Sequence, residues 1–181
     1  MGMVVNLTEQ QCKDAVKLYR SKNTKITQFW KKMDQVILAM TTGATGTLGP
    51  ITYGKNYISL PNGMFLQYYG MHGEMEVRYD NLVMTEATYL TRYGRTKIYG
   101  GLLTENLVQA LARVIVADQM LAISKKYRVV TMTHDEVVAV CPKNEAKQCL
   151  ADMLKIMATP PSWAPDMPLA AEGGYDTCYS K

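Results

Sequence analysis

Histidine is scarce in this sequence, with His72 and His134 the only two among 181 residues. The four cysteines, Cys12, Cys141, Cys149 and Cys178, follow neither a CxxC spacing nor any Cys/His ligand pattern. Such spacing does not support a tetrahedral zinc site, and the cysteines read as reduced thiols. No stretch approaches the roughly 18 uninterrupted apolar residues of a membrane span, and the opening MGMVVNLTEQQ lacks the basic segment that begins a secretory signal. A cytoplasmic setting is the expectation. Hydrophobic residues at 48% and charged residues at 20% match globular averages, which removes disordered, collagen-like and disulfide-stapled classes. One domain, or a piece of a larger one, remains.

The net charge of +4 is small but unevenly placed. Lys13, Lys17, Arg20, Lys22, Lys25, Lys31 and Lys32 stand near the start against only Glu9, Asp14 and Asp34. The residues fit either a basic surface on one helix or an ordinary solvated helix face.

Thr8 opens a capping box with Gln11, and Val16, Tyr19, Ile26, Phe29, Trp30, Met33, Ile37 and Met40 then recur near helical spacing. A long helix or a helix pair over 9–40 is expected, with any break around Ser21 to Thr24. Thr41 to Gly49 is rich in Gly and Thr without apolar period and reads as a loop. Tyr57 to Leu60 and Met64 to Tyr69 flank Pro61-Asn62-Gly63, a hairpin signal. Met75 to Tyr79 and Arg95 to Tyr99 are strand-like and bracket an ambiguous segment.

After Gly100-Gly101, Thr104 is a good N-cap, and Leu107, Val108, Leu111, Val114, Ile115, Met120, Leu121 and Ile123 predict a helix over Glu105 to Ser124. Glu105, Gln109 and Arg113 stand four apart along one stripe of it, an arrangement that solvent exposure alone also explains. Two β-branched runs, Arg128 to Thr133 and Val137 to Cys141, flank His134-Asp135-Glu136, so a hairpin with an imidazole and two carboxylates at its tip is expected. Adjacent acids repel, and a hard divalent cation such as Mg²⁺ is the chemical reason to place them there. Trp163 and the many methionines read as core filling.

Three segments, in order, closely resemble the C-terminal end of family A DNA polymerases, the DNA polymerase I group, in the form typical of bacteriophages. They are Tyr99-Gly-Gly-Leu-Leu-Thr-Glu-Asn-Leu-Val-Gln-Ala-Leu-Ala-Arg113, the motif C segment Thr131 to Val138, and the tail Pro160-Pro161-Ser-Trp163-Ala-Pro-Asp-Met-Pro168-Leu-Ala-Ala-Glu172-Gly. Tyr19-Arg20-Ser21-Lys22-Asn23 through Phe29-Trp30 also resembles the fingers helix that follows the nucleotide-binding helix there. The resemblance implies an α+β fold, with fingers-derived helices at 1–42, a β-hairpin region linking fingers and palm at 43–100, and a C-terminal palm portion at 101–181. In that portion the Glu105 helix and a helix over about 143–157 are expected to pack on the motif C hairpin, with a Pro-rich link and a terminal strand after them.

By the same resemblance Asp135 is the motif C aspartate that holds the catalytic Mg²⁺ ions, and Glu136 is its acidic neighbour. His134 lies against the primer terminus. Gln109, with Glu105 and Asn106 beside it and Arg113 continuing the face, follows the primer-template minor groove. Val114 stands where the family often has an acid.

Polymerase motif A, of the form Asp-x-Ser-x-x-Glu, is missing, as are the lysine-bearing helix of motif B and a proofreading Asp-x-Glu. Nucleotidyl transfer uses two metals held between carboxylates, and one hairpin tip cannot cage both. The expectation is the final part of a template-directed DNA polymerase, acting on primer-template DNA and dNTP only with a complementary fragment that carries motifs A and B. The alternative is a noncatalytic primer-template DNA-binding module. A different two-metal phosphotransferase or nuclease is a third reading, and no further acidic cluster favours it.

Overall fold

The computed structural model of the chain describes residues 7–78 and 81–179. Among the described residues, four helices and three antiparallel sheets give the expected α+β class. The described residues form two compact units, 7–46 with 53–57 and 67–106, and 47–52 with 58–66 and 107–179.

In the first unit α1 (Glu9–Lys22) starts from the expected capping box. The Thr8 hydroxyl accepts from the Gln11 backbone N–H, and the Gln11 carboxamide accepts from the Thr8 N–H at 2.8 Å. The helix buries no residue. It stops at Asn23, whose backbone N–H and side-chain amide both donate to the Tyr19 carbonyl at 2.9 Å, within the expected break. α2 (Thr24–Thr42) then buries Met33, Val36, Ile37 and Met40, an apolar stripe at helical spacing.

The loop expected over Thr41 to Gly49 is shorter than its composition implies. The Thr41 and Thr42 hydroxyls donate to the Leu38 carbonyl at 2.7 and 3.0 Å and carry the helix on. Gly43 ends it in the left-handed region, φ 85°, and Gly46–Leu48 is already a strand, β1. β2 (Ile51–Gly54), β3 (Tyr57–Ser59) and β4 (Phe65–Gln67) follow it in one sheet in chain order. The β3–β4 connection is the predicted hairpin. Its loop has three residues rather than a two-residue Asn-Gly turn. Only Gly63 takes a positive φ, 83°, the Gly63 N–H donates to the Leu60 carbonyl at 2.9 Å, and the Asn62 side chain accepts from the Met64 N–H.

β5 (His72–Arg78), β6 (Asn81–Thr91) and β7 (Gly94–Lys97) form the second sheet, with β6 central. The ambiguous segment between the two strand-like runs is therefore the middle strand. Tyr79, expected to end the first run, lies outside the described residues.

α3 (Gly100–Ser124) begins a turn earlier than Thr104. Asp34, from α2, accepts from the Gly100 N–H at 2.6 Å and satisfies a donor at the helix start. Thr104 is consequently inside the helix, its hydroxyl donating back to the Gly100 carbonyl at 2.7 Å. A Cβ at Gly100 would lie 2.0 Å from the Trp30 carbonyl oxygen, so the start of α3 against α2 requires glycine. By length and composition alone α3 could cross a membrane. Leu103, Leu107, Val114 and Ile123 are buried along it, and the buried Gln119 donates to the Met157 carbonyl.

In the second unit β8 (Arg128–Thr133) and β9 (Glu136–Val140) pair antiparallel, and a short 3₁₀ turn, Lys143–Glu145, leads into α4 (Ala146–Met157). No terminal strand follows among the described residues. Pro160, Pro161, Pro165 and Pro168 deprive that segment of ladder donors, and it runs as turns and irregular chain.

Replacing Gly100 by Ala is expected to cost about 1–3 kcal/mol, because backbone must move to admit the methyl group. Gly174→Ala, with open space around the new methyl, should change stability little. Urea titrations of both variants check this, and equal midpoints would sink the close-approach argument.

Candidate functional site

His134, Asp135 and Glu136 sit at the free end of the β8–β9 hairpin. Thr133 pairs with Glu136 and Met132 with Val137, so the tip is two residues, His134-Asp135, and not the expected three. Glu136 belongs to the strand. His134 supplies the left-handed residue of this tight turn with φ 53°, a conformation that histidine adopts more readily than most non-glycine residues. His134 and Asp135 are exposed, while Glu136 is half-buried and accepts from the Tyr179 hydroxyl at 2.9 Å. The two neighbouring carboxyl groups therefore stand in different surroundings.

A two-stranded ribbon is marginal in water, and this one is held by what it packs on. Val137 joins Ile123 of α3, Tyr127 and Cys149 of α4 in one buried cluster, with Val129, Met132, Ala139, Cys141, Met153 and Ile156 against it. Strict alternation would put Val129 and Thr131 on one face. A register shift between Val129 and Thr131 leaves Val130 as the extra, exposed residue, so that Val129 and Met132 both reach the core opposite Ala139 and Val137. Each such apolar side chain contributes roughly 1.5–3 kcal/mol when fully buried, which anchors the ribbon's base and leaves its tip in water.

At the base of the ribbon a polar cluster links the Lys126-Tyr127 segment to α4. Asp152 on α4 accepts from the Tyr127 hydroxyl at 2.6 Å, from the Gln148 side chain at 2.8 Å and from the Lys126 ammonium. These donors, Lys126 foremost, hold the Asp152 carboxyl down to about 2, and the Asp152 carboxylate in turn raises the Lys126 ammonium. Gln148 and Asp152 stand four apart on one helix face, whereas Tyr127 and Lys126 lie 25 and 26 residues from Asp152 and carry no local signal. All four cysteines are free thiols. Burial, reinforced by the adjacent Cys141, pushes the Cys149 thiol up to about 11, which leaves it protonated and inert.

The second group of predicted residues lies on α3. Glu105, Gln109 and Arg113 are exposed and recur every fourth residue, while Leu103, Leu107 and Val114 turn inward. Asn106 differs from the other three. It is half-buried, and its amide donates to the Tyr68 hydroxyl at 3.1 Å. Tyr68 is itself buried, which raises its phenol and keeps it neutral at ordinary pH. Trp163, expected as core filling, is half-buried and lines a cavity of about 340 Å³ with Ile115, Gln119, Ile156 and Pro161. The structure thus presents two groups, the tip with Asp135 and Glu136 and the polar helix stripe. Sequence reasoning missed Tyr179 and Tyr68, which lie 43 and 38 residues from the groups they hold and carry no local signal. Among the described residues no three His, Cys, Asp or Glu side chains converge to hold a metal ion.

The chain is 30% identical to the DNA polymerase of Bacillus phage SP02 over 186 aligned residues, which take in 98% of this chain and 28% of that polymerase. The chain therefore spans little more than a quarter of the length of the relative it matches. No protein-family model and no solved structure matches it. The likeness bears out the resemblance to a bacteriophage DNA polymerase, and because it runs through nearly the whole chain it does not rest on the hairpin motif alone.

The depressed Asp152 carboxyl makes a pH prediction. A group with a lowered folded-state pKa stabilises above its unfolded value and loses that contribution as pH falls from about 4 through about 2. Thermal midpoints followed from neutral pH to acid should fall over that window, and Asp152→Asn should flatten the fall while lowering the midpoint at neutral pH. An unchanged acid limb in Asp152→Asn would mean that other carboxyls govern it.

Proposed function

We propose that this chain is the motif C portion of a family A, template-directed DNA polymerase. Asp135 is the metal-holding carboxylate, and the α3 stripe contacts primer-template DNA. The observation that carries the reading is an exposed aspartate raised on a packed hairpin, in a chain similar along its length to a phage DNA polymerase.

The donor set fits Mg²⁺ of the kind shared with a substrate, since such ions take one or two carboxylates and complete their shell with water and phosphate oxygens. Asp135 would hold it, and Glu136, occupied with Tyr179, is the weaker contributor. When bound, two such ions supply charge at the attacking 3′-hydroxyl and along the triphosphate. The chain's own residues then have distinct tasks. Asp135 places one negative charge at a fixed height above the ribbon. His134, beside it and exposed, offers a donor to the primer end. Gln109 and Arg113 face outward where they can hydrogen-bond base edges and sugars in the minor groove, with Glu105 alongside. Asn106 has one amide hydrogen committed to Tyr68 and so positions the helix as much as it reads DNA.

A segment carrying motifs A and B, on a complementary polymerase fragment, supplies the remaining carboxylate and the dNTP-binding lysine in this reading. Exposed apolar side chains on α3 (Val108, Leu121) and on the ribbon (Val130, Val140) support such an association. The reaction takes place in the host cytoplasm.

Two measurements test this. Titration calorimetry of the 181-residue chain with Mg²⁺ should find no tight site, and submicromolar binding would favour the nuclease or phosphotransferase reading. Reconstituted with a fragment bearing motifs A and B, the chain should extend a primed template. Asp135→Asn should slow single-turnover incorporation by several orders of magnitude with primer-template affinity nearly unchanged. Glu136→Gln should cost less, and Gln109→Ala should act mainly by loosening the primer end. Incorporation by Asp135→Asn at the wild-type rate would remove the metal role. Tight primer-template binding with no extension at all would favour the noncatalytic module.

A further inference from the structure

Sulfur gathers at the base of the ribbon. Cys141 follows the last residue of β9, while Cys149 and Met153 stand one turn apart on α4. The Cys149 thiol is buried and donates to the Met153 thioether at 3.8 Å, and the Cys141 thiol lies within hydrogen-bonding reach of Cys149. A spacing of four puts Cys149 and Met153 on one face of the helix, and Cys141 packs against the same apolar cluster from the end of the ribbon. Core filling explains any one of these side chains, because methionine fits irregular gaps and a reduced cysteine acts as a small apolar group. It does not require two thiols and a thioether to meet at one point.

We propose that Cys141, Cys149 and Met153 form a three-coordinate site for a soft monovalent cation of the Cu(I) class, which clamps the end of β9 to α4. Thiolate and thioether sulfurs are the donors that select Cu(I) over harder ions. Three sulfurs around one ion, each bonded at about 2.3 Å, stand about 4 Å apart. The 3.8 Å between the Cys149 and Met153 sulfurs is already close to that separation. A buried thiol that keeps its proton is a poor nucleophile but remains a ligand, because the incoming cation displaces the proton. Binding exchanges two S–H bonds for two S–Cu bonds, releases two protons and changes no oxidation state. Cys141 is only half-buried and gives the ion its way in. Zn²⁺ fits less well, since it calls for four ligands and among the described residues no three His, Cys, Asp or Glu side chains converge. A Cys141–Cys149 disulfide would use the same thiols, but it needs an oxidant to take up two electrons and leaves Met153 without a part. The proposal stands apart from the polymerase reading, and none of the three residues belongs to the hairpin tip or the α3 stripe.

The test is an anaerobic titration of the 181-residue chain with Cu(I) delivered from a chromophoric chelator, in a Cys12→Ser, Cys178→Ser background that removes the two exposed thiols. One ion should bind per chain, X-ray absorption should show sulfur neighbours at about 2.3 Å, and the thermal midpoint should rise with free Cu(I). Cys141→Ala should weaken binding by roughly a hundredfold or more. Met153→Leu, which keeps the volume of the side chain in the core, should weaken it by roughly tenfold. Circular dichroism confirms that each variant keeps its helices and strands. Unaltered affinity in either variant, a shell of nitrogen or oxygen around the ion, or tighter binding of Zn²⁺ than of Cu(I) would each overturn the proposal. So would two thiols lost to alkylation once the ion is stripped away, the mark of a disulfide. Asp135→Asn should bind Cu(I) as the parent chain does. Loss of primer extension with this binding intact, or the reverse, therefore tells failure of one reading from failure of the other.

Discussion

The apolar seam between the β8–β9 ribbon and helices α3 and α4 is the constraint on which the candidate site depends. A lone ribbon of five or six residues a strand gains too little from its ladder to persist, so Val137, Val129, Met132 and Ala139 must all find the same core. Ordinary alternation cannot place both Val129 and Met132 inward, and the irregularity at Val130 resolves that conflict by a local change of register. The cost is one unpaired residue on an exposed strand. In return the ribbon projects with a defined height and twist, and the tight His134-Asp135 turn inherits that orientation. The Lys126–Asp152–Tyr127 cluster closes the opposite end, where β8 leaves α3.

Rigid support below and water above give the tip its chemical character. Asp135 is exposed at the turn, whereas Glu136, one residue on, is half-buried and engaged with Tyr179. Strand geometry produces this asymmetry, because the end of the turn is also the start of β9. Adjacent acids that would otherwise repel as equals are differentiated into one presented carboxylate and one tethered carboxylate, which is the order of importance that the polymerase resemblance assigns to them.

The sequence carried those parts of the fold whose cause is local. The capping box at Thr8, the break at Asn23, the apolar stripes of α2 and α3 and the two strands of the ribbon all follow from side chains within a few residues of one another. What could not be read depends on distant partners. The start of α3 is set at Gly100 by Asp34 and by the Trp30 backbone, some 66 residues earlier, and this displaced the cap expected at Thr104. The terminal strand came with the polymerase resemblance and was outweighed by four prolines. The tip was counted as three residues because polarity marks a turn, whereas pairing decides it, and Thr133 pairs with Glu136. Among the site residues, positions on the helix face and hairpin were legible, but the hydrogen bonds of Asn106 and Glu136 to tyrosines far along the chain were not.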